Sequence, residues 1–372
     1  MKEKMGTTGL IFNEPLLWEK GSPGRKGMSL PRRDVDAAPL DDALVGEGPD
    51  FPDLSELDVV RHFTKLSQWN FGVDSGMYPL GSCTMKYNPK TNERQASLPG
   101  FAGAHPLLPE SLSQGALELM YHLQGYLGEV TGLPAVSVQP AAGSHGELTG
   151  MLIFAAYHKN KGRPRTKVLI PDTAHGTNPA SAALCGFKSI GIKSGPKGIL
   201  TPESVAEFMD DDTAGIMITN PNTLGLFEDN IRQVADIVHG KGGLVYADGA
   251  NMNAVMGIVD IGDIGVDVLH LNLHKTFSTP HGGGGPGAGP VCVTPELEQF
   301  LPVPRVVKDG EIYRLEEDHP LSVGKVHAFF GNFGILVRAY SYILSVGKYL
   351  KEVSQYAVLN ANYIKERLKG DY

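Results

Sequence analysis

The chain has 372 residues, with 33 Lys and Arg against 41 Asp and Glu, for a formal charge of −8. Such a length predicts two or three domains, or one large α/β domain with an appendage, and a mildly acidic balance without a basic block argues against nucleic acid or an anionic membrane as the main partner. No apolar run approaches the roughly 18 residues of a membrane span, Met1 to Leu10 lack the apolar stretch of a secretory signal, and Cys83, Cys185 and Cys292 form neither a disulfide framework nor a C-x-x-C pair, which predicts a reducing, cytoplasmic setting.

Residues 1–70 are punctuated by Pro15, Pro23, Pro31, Pro39, Pro49 and Pro52, with one short helical stretch at 55–66. Leu16, Leu17 and Trp18 are apolar enough to need burial, so this segment reads as an extended arm lying over something larger, another subunit included. From 110 the texture changes. Leu117, Met120, Tyr121, Leu123, Leu127 and Val130 recur near helical spacing and predict a helix over 111–131, capped by Ser111 or Ser113. A strand over 135–139, a glycine-containing turn and an apolar helix over 148–158 follow. Further strands are expected at 167–170, 215–219, 243–247, 266–271 and 290–293, with helices at 202–209 and 231–239. Short β-branched strands separated by helices imply βαβ units and a mainly parallel sheet, in a large α/β domain over 71–325. Residues 326–369 read as helical, with breaks at Gly331, Gly334 and Gly347, and open a C-terminal domain over 326–372.

In open α/β sheets ligands sit beyond the carboxyl ends of the strands. After the first strand come Gly143, Ser144 and His145, opening a helix; free amides, a dipole and one hydroxyl there suit an anion. After the others come His175 and Thr177, then Asn220 to Thr223, then Asp248 and Ala250, then His274 and Lys275. Singly, each has a plain explanation: a surface lysine, a cap, a turn, a satisfied histidine. Together they offer one sheet edge a phosphate cradle, an aromatic plate, a carboxylate and a lysine, the set that pyridoxal phosphate (PLP) requires. A carboxylate at the end of a buried strand needs a cationic partner, which a pyridinium N–H supplies. A Schiff base at Lys275 removes the charge that burial penalises.

Two other motifs fail their context. His270, His274 and His281 lack the H-E-x-x-H pattern, and His270 alternates off the face of His274, so no metal site is expected. The 282–289 segment formally matches G-x-G-x-x-G but precedes a strand instead of opening a helix. It suits a loop beside a phosphate or at a subunit contact. The 46 glycines, about 12% against a typical value near 7%, cluster in such loops.

Five segments carry a resemblance: Tyr78-Pro-Leu-Gly-Ser-Cys-Thr-Met-Lys-Tyr-Asn-Pro-Lys90, Gln139-Pro-Ala-Ala-Gly-Ser-His-Gly-Glu147, Asp172-Thr-Ala-His-Gly-Thr-Asn-Pro-Ala-Ser181, Tyr246-Ala-Asp-Gly-Ala-Asn-Met-Asn-Ala254 and Leu269-His-Leu-Asn-Leu-His-Lys-Thr-Phe277. In these the chain resembles glycine dehydrogenase (decarboxylating), the P-protein family of the glycine cleavage system, and within it the separate β subunit (subunit 2). The resemblance implies a fold-type-I PLP-dependent transferase-like architecture. It implies a covalent aldimine at Lys275, ring-nitrogen contact at Asp248, stacking by His175 and phosphate contacts near Gly143, Ser144 and His145, with Ala250 and Thr177 nearby. It implies glycine as substrate and release of CO2. The aminomethyl group would pass to the lipoyl arm of a carrier H-protein, and an α subunit (subunit 1) would complete an α2β2 heterotetramer. His274 would handle protons or serve structurally, and the 282–289 loop would shape entry for the lipoyl arm. Family β subunits usually continue into a small C-terminal domain beyond the position of Tyr372, so the chain is expected to be a fragment. The alternatives are another fold-type-I PLP enzyme, an aminotransferase or a desulfurase with Cys83 as nucleophile, or a scaffold subunit completing a partner's site.

Overall fold

The computed structural model describes residues 14–70, 72–77, 83, 85–282, 285–328 and 331–372. Residues 78–82 and 84 of the Tyr78-to-Lys90 motif, and 283–284 of the glycine loop, lie outside the described residues. The chain divides into two compact units, Met1–Pro79 and Leu80–Tyr372.

In the first unit, the Ser55 hydroxyl oxygen accepts the Asp58 amide at 3.2 Å and caps the helix Glu56–Ser67. The Glu14 carboxylate gathers Lys20, Lys65 and His62. Trp18 donates its indole N–H to the Asp50 carbonyl at 2.9 Å, yet its side chain remains 58% exposed and that of Leu16 65%. Among the described residues, the burial expected of these two side chains is not found.

In the second unit, seven strands form one sheet: β1 (Ala135–Ser137), β2 (Lys167–Pro171), β3 (Lys188–Ile192), β4 (Thr213–Thr219), β5 (Leu244–Gly249), β6 (Val268–Leu271) and β7 (Val291–Val293). Their order is β1-β7-β6-β5-β4-β2-β3. The run from β3 to β6 is parallel, and β7 lies antiparallel between β6 and β1. The central strands are buried on both faces, as parallel strands must be. Period-two alternation divides their side chains. Leu244, Tyr246 and Val268 pack with Met151, Ile153 and Phe154. Val245, Ala247, Leu269 and Leu271 face Leu117, Leu123, Val234 and Val238.

Several boundaries differ from the sequence reading for local reasons. The helix expected from 148 begins at Gly143, immediately after the β1 turn, and runs to Asn160. Strand β5 continues through Asp248 to Gly249, because Asp248 still pairs with His270 and Thr219 in register. Strand β6 starts at Val268, since the Asp267 carboxylate turns aside to accept the Val245 amide. Edge strand β3 escaped notice because its residues are half exposed and include Gly191. So did a hairpin of β8 (Arg305–Asp309) and β9 (Ile312–Glu316), whose charged alternation reads as loop. Gln114, on the helix Glu110–Thr131, accepts the Tyr313 amide at 2.9 Å and donates to its carbonyl at 2.7 Å, which fixes the hairpin. Gly334 lies inside the helix Phe333–Val346 and makes no break. Gly347, at φ +51°, does, and Leu350–Leu368 follows. Among the described residues no helix is long and apolar enough to cross a membrane.

Leu123 is fully buried in the middle of the helix Glu110–Thr131. Leu123→Ala should therefore lower stability by about 2–5 kcal/mol. A lower urea midpoint at unchanged slope is the expected readout.

Candidate active site at the carboxyl edge of the sheet

The turn after β1 delivers the chain into the helix Gly143–Asn160 so that its first amides face the sheet edge. A β-carbon at Gly143 would lie 2.0 Å from Asn272 Oδ1, so the close approach of the helix to the loop after β6 requires glycine there. Asp248 is 6% exposed and Lys275 7%. The Asp248 carboxylate is oriented by the Ala250 amide, which donates to Oδ1 at 3.0 Å. Behind it His270 is fully buried, with Nδ1 on the Tyr246 hydroxyl and Nε2 at 3.6 Å from Asp248 Oδ1. The loop bearing Lys275 is pinned from two sides. Thr276 accepts the Met252 amide on its hydroxyl at 2.9 Å and the Lys86 ammonium on its carbonyl at 2.8 Å. Burial lowers the Lys86 pKa to about 8.

Ser144, His175, Asp248 and Lys275 line one cavity of about 1010 Å³, together with Gly143, Thr177, Ala250 and His274. Of the residues the sequence assigned to catalysis or to the cofactor, His145 is the one outside the lining: its Nδ1 accepts the Ala141 amide at 3.1 Å and its ring lies beside His327. His274 is held neutral, its pKa lowered to about 4 by burial and by the neighbouring His281 and Lys275.

The sequence reading overlooked Glu147. It stands one helical turn after Gly143, on the same face, which is the signal that could have found it. It is buried and accepts the Thr177 hydroxyl at 2.7 Å; that hydroxyl also meets His175 Nδ1 at 2.7 Å. Burial, then the nearby Asp248 charge, raises the Glu147 pKa to about 7. Asn272, Cys83 and His281 also line the cavity and were not assigned there.

A lysine and a carboxylate at adjacent parallel strand ends, beside a helix N-terminus in this sheet order, define an α/β enzyme of the fold-type-I PLP class. Solved structures agree. The fold is similar to that of a glycine decarboxylase (P-protein) of the glycine cleavage system in inhibitor-bound form, at TM-score 0.69 and 19% identity over 85% of this chain and 72% of that one. It is also similar to Oryza sativa TDC with PLP and tryptamine, at TM-score 0.62 and 15% identity over 91% of this chain and 73% of the other. The family model described as "Glycine cleavage system P-protein" matches residues 47–311. A "Probable glycine dehydrogenase (decarboxylating) subunit 2" of Alkaliphilus oremlandii (strain OhILAs) is 57% identical over 96% of this chain and 75% of its own length. A protein of the same description from Staphylococcus aureus (strain Newman) is 54% identical over 97% of this chain and 75% of its own. The chain belongs to the glycine cleavage system P-protein family, and its activity is that of glycine dehydrogenase (decarboxylating). The aminotransferase and desulfurase alternatives give way to that assignment.

Glu147 generates a pH prediction. A carboxyl whose pKa is raised on folding favours the native state while protonated, and that contribution fades as pH rises through about 7. Each pKa unit is worth about 1.4 kcal/mol. Relative to Glu147→Gln, the native protein should lose up to about 3 kcal/mol between pH 5 and pH 8. Chemical denaturation of both proteins at the two pH values measures this; a pH-independent difference contradicts it.

Proposed function

We propose that this chain decarboxylates glycine with pyridoxal 5′-phosphate held covalently at Lys275, and that the aminomethyl remainder passes to the lipoyl arm of a carrier H-protein. The observation that carries the residue roles is the meeting of Lys275, Asp248 and the Gly143–Asn160 helix N-terminus on one cavity. The residues fit the group. Gly143 and Ser144 would hold its phosphate with backbone amides and a hydroxyl at the helix start. Asp248 would hold its ring nitrogen, and Lys275 would take its aldehyde. When bound, PLP supplies an electron sink for the pair released as the bond from the glycine Cα to its carboxylate breaks.

The protein's own groups do the rest. Lys275 would anchor the cofactor through Nζ, at a position 7% exposed that lines the cavity. Asp248 keeps a proton on the ring nitrogen, with the Ala250 amide and the buried His270 fixing its orientation. His175 offers its ring face, steered through Thr177 by Glu147. His145 contributes through its backbone position at the helix start and not through its ring. Neutral His274 moves a proton beside Lys275.

A subunit 1 partner, in an α2β2 assembly within the cytoplasm, belongs to the same proposal. It is supported by the "subunit 2" description of the relatives and by the exposed Trp18, Leu30 and Phe51 of the first unit. The division into an arm (1–70), a cofactor-binding domain (71–325) and the start of a C-terminal domain (326–372) belongs to the same proposal; a separate first unit, Met1–Pro79, supports the arm.

Borohydride reduction of the PLP-loaded protein should fix the cofactor on the peptide containing Lys275, and Lys275→Ala should give no adduct. An adduct mapped to another lysine refutes the anchor. Asp248→Asn should retain PLP yet slow glycine–CO2 exchange by roughly 10²–10³-fold, the scale of losing one electrostatic partner of the transition state. Near-normal exchange would reject that role.

A further inference from the structure

Among the described residues, one group of three side chains places metal-ligating atoms within 4.8 Å of one another: Cys83, His274 and His281. We propose that this triad is a binding site for a borderline-soft divalent cation, zinc being the best match, at the rim of the Lys275 cavity. The donor set argues for this class, because thiolate with two imidazoles selects zinc over magnesium or calcium. One edge of the triad has the length such a site requires. Cys83 Sγ lies 3.6 Å from His274 Nε2, and a tetrahedral site with Zn–S of about 2.3 Å and Zn–N of about 2.05 Å has an S···N edge of about 3.6 Å. A thiol–imidazole hydrogen bond alone accounts for that pair but not for the third ligand. The His281 ring stands perpendicular to that of His274, with centroids 4.6 Å apart. All three residues line the cavity, so a fourth ligand, water or a small thiolate, would come from that side. The chain segments bearing Cys83 and His274 are held together independently, by the Lys86 and Asn88 side chains on the carbonyls of Thr276 and Ser278. The site shares His274 with the proton-handling role proposed above, but not Lys275, Asp248 or the Gly143 helix start. Occupied, it would tie down His274 next to Lys275, so zinc should act against turnover.

The test uses the full chain, stripped with chelator and kept reduced. Zinc competed against a chromophoric chelator should bind one ion per chain. The affinity should fall more than about tenfold in Cys83→Ser and in His281→Asn, since losing even an outer partner of a metal ligand costs 10–100-fold, and stay unchanged in Cys185→Ser. Cobalt(II) should give a thiolate charge-transfer band in the unaltered protein that is lost in Cys83→Ser. Absence of stoichiometric binding or of the band in the unaltered chain overturns the proposal, without touching the Lys275 assignment. So does equal affinity in folded Cys83→Ser and His281→Asn.

Discussion

Two groups of opposite formal charge, Asp248 and Lys275, are buried at the ends of neighbouring strands, and most of the local structure answers the cost of keeping them there. Isolated charges in such a place are expensive, and a buried pair is favourable only when its remaining hydrogen-bonding capacity is met. Asp248 receives the Ala250 amide and faces the buried His270. Glu147, a second carboxyl in the same cavity, takes the other solution: its raised pKa keeps it largely protonated below neutrality. The cavity thus pairs a carboxylate tied to the Ala250 amide with a second carboxyl whose charge depends on pH.

The same constraint shapes the packing around the cavity. Gly143 lets Asn272 approach the helix start, and Thr276 ties the loop after β6 to the loop after β5. Lys86 and Asn88 clamp the far side of the Lys275 turn through its backbone carbonyls. Each link is an interaction between a strand-end loop and a neighbour, so the catalytic geometry is held by the sheet through its edges. The two cores, divided by side-chain alternation, make that sheet stiff enough to serve as the reference frame.

The elements most readable from sequence were those whose environment is uniform. β4 and β5 are buried on both faces and appear as unbroken apolar runs ending in polar residues, so both the strands and the residues after them were found. β3 and the β8–β9 hairpin were not, because edge exposure and charge mask their alternation. Lys275, Asp248, His175 and Ser144 share a position, the carboxyl end of a strand, and position is legible. The side chain of His145 is not: only the fold shows its ring turned to the Ala141 amide. Nor is the company of Cys83, which is separated from His274 by 191 positions. The three histidines weighed for a metal from their spacing, and set aside, do not all come together among the described residues. Period two puts His270 behind Asp248, and a thiol distant in sequence takes its place beside His274 and His281.

The reversed direction of β7 has a consequence of its own. Because β6 and β7 are antiparallel, with His270 level with Val291, the chain leaves the sheet after Leu271 and rejoins it at the same edge, where the Leu271 amide donates to the Pro290 carbonyl. Both ends of the connection carrying Lys275 and His281 are therefore anchored beside the cavity. A tether fixed at both ends confines what it carries to a small volume, so the effective concentration of His281 near Lys275 is set by the sheet and depends only weakly on loop length.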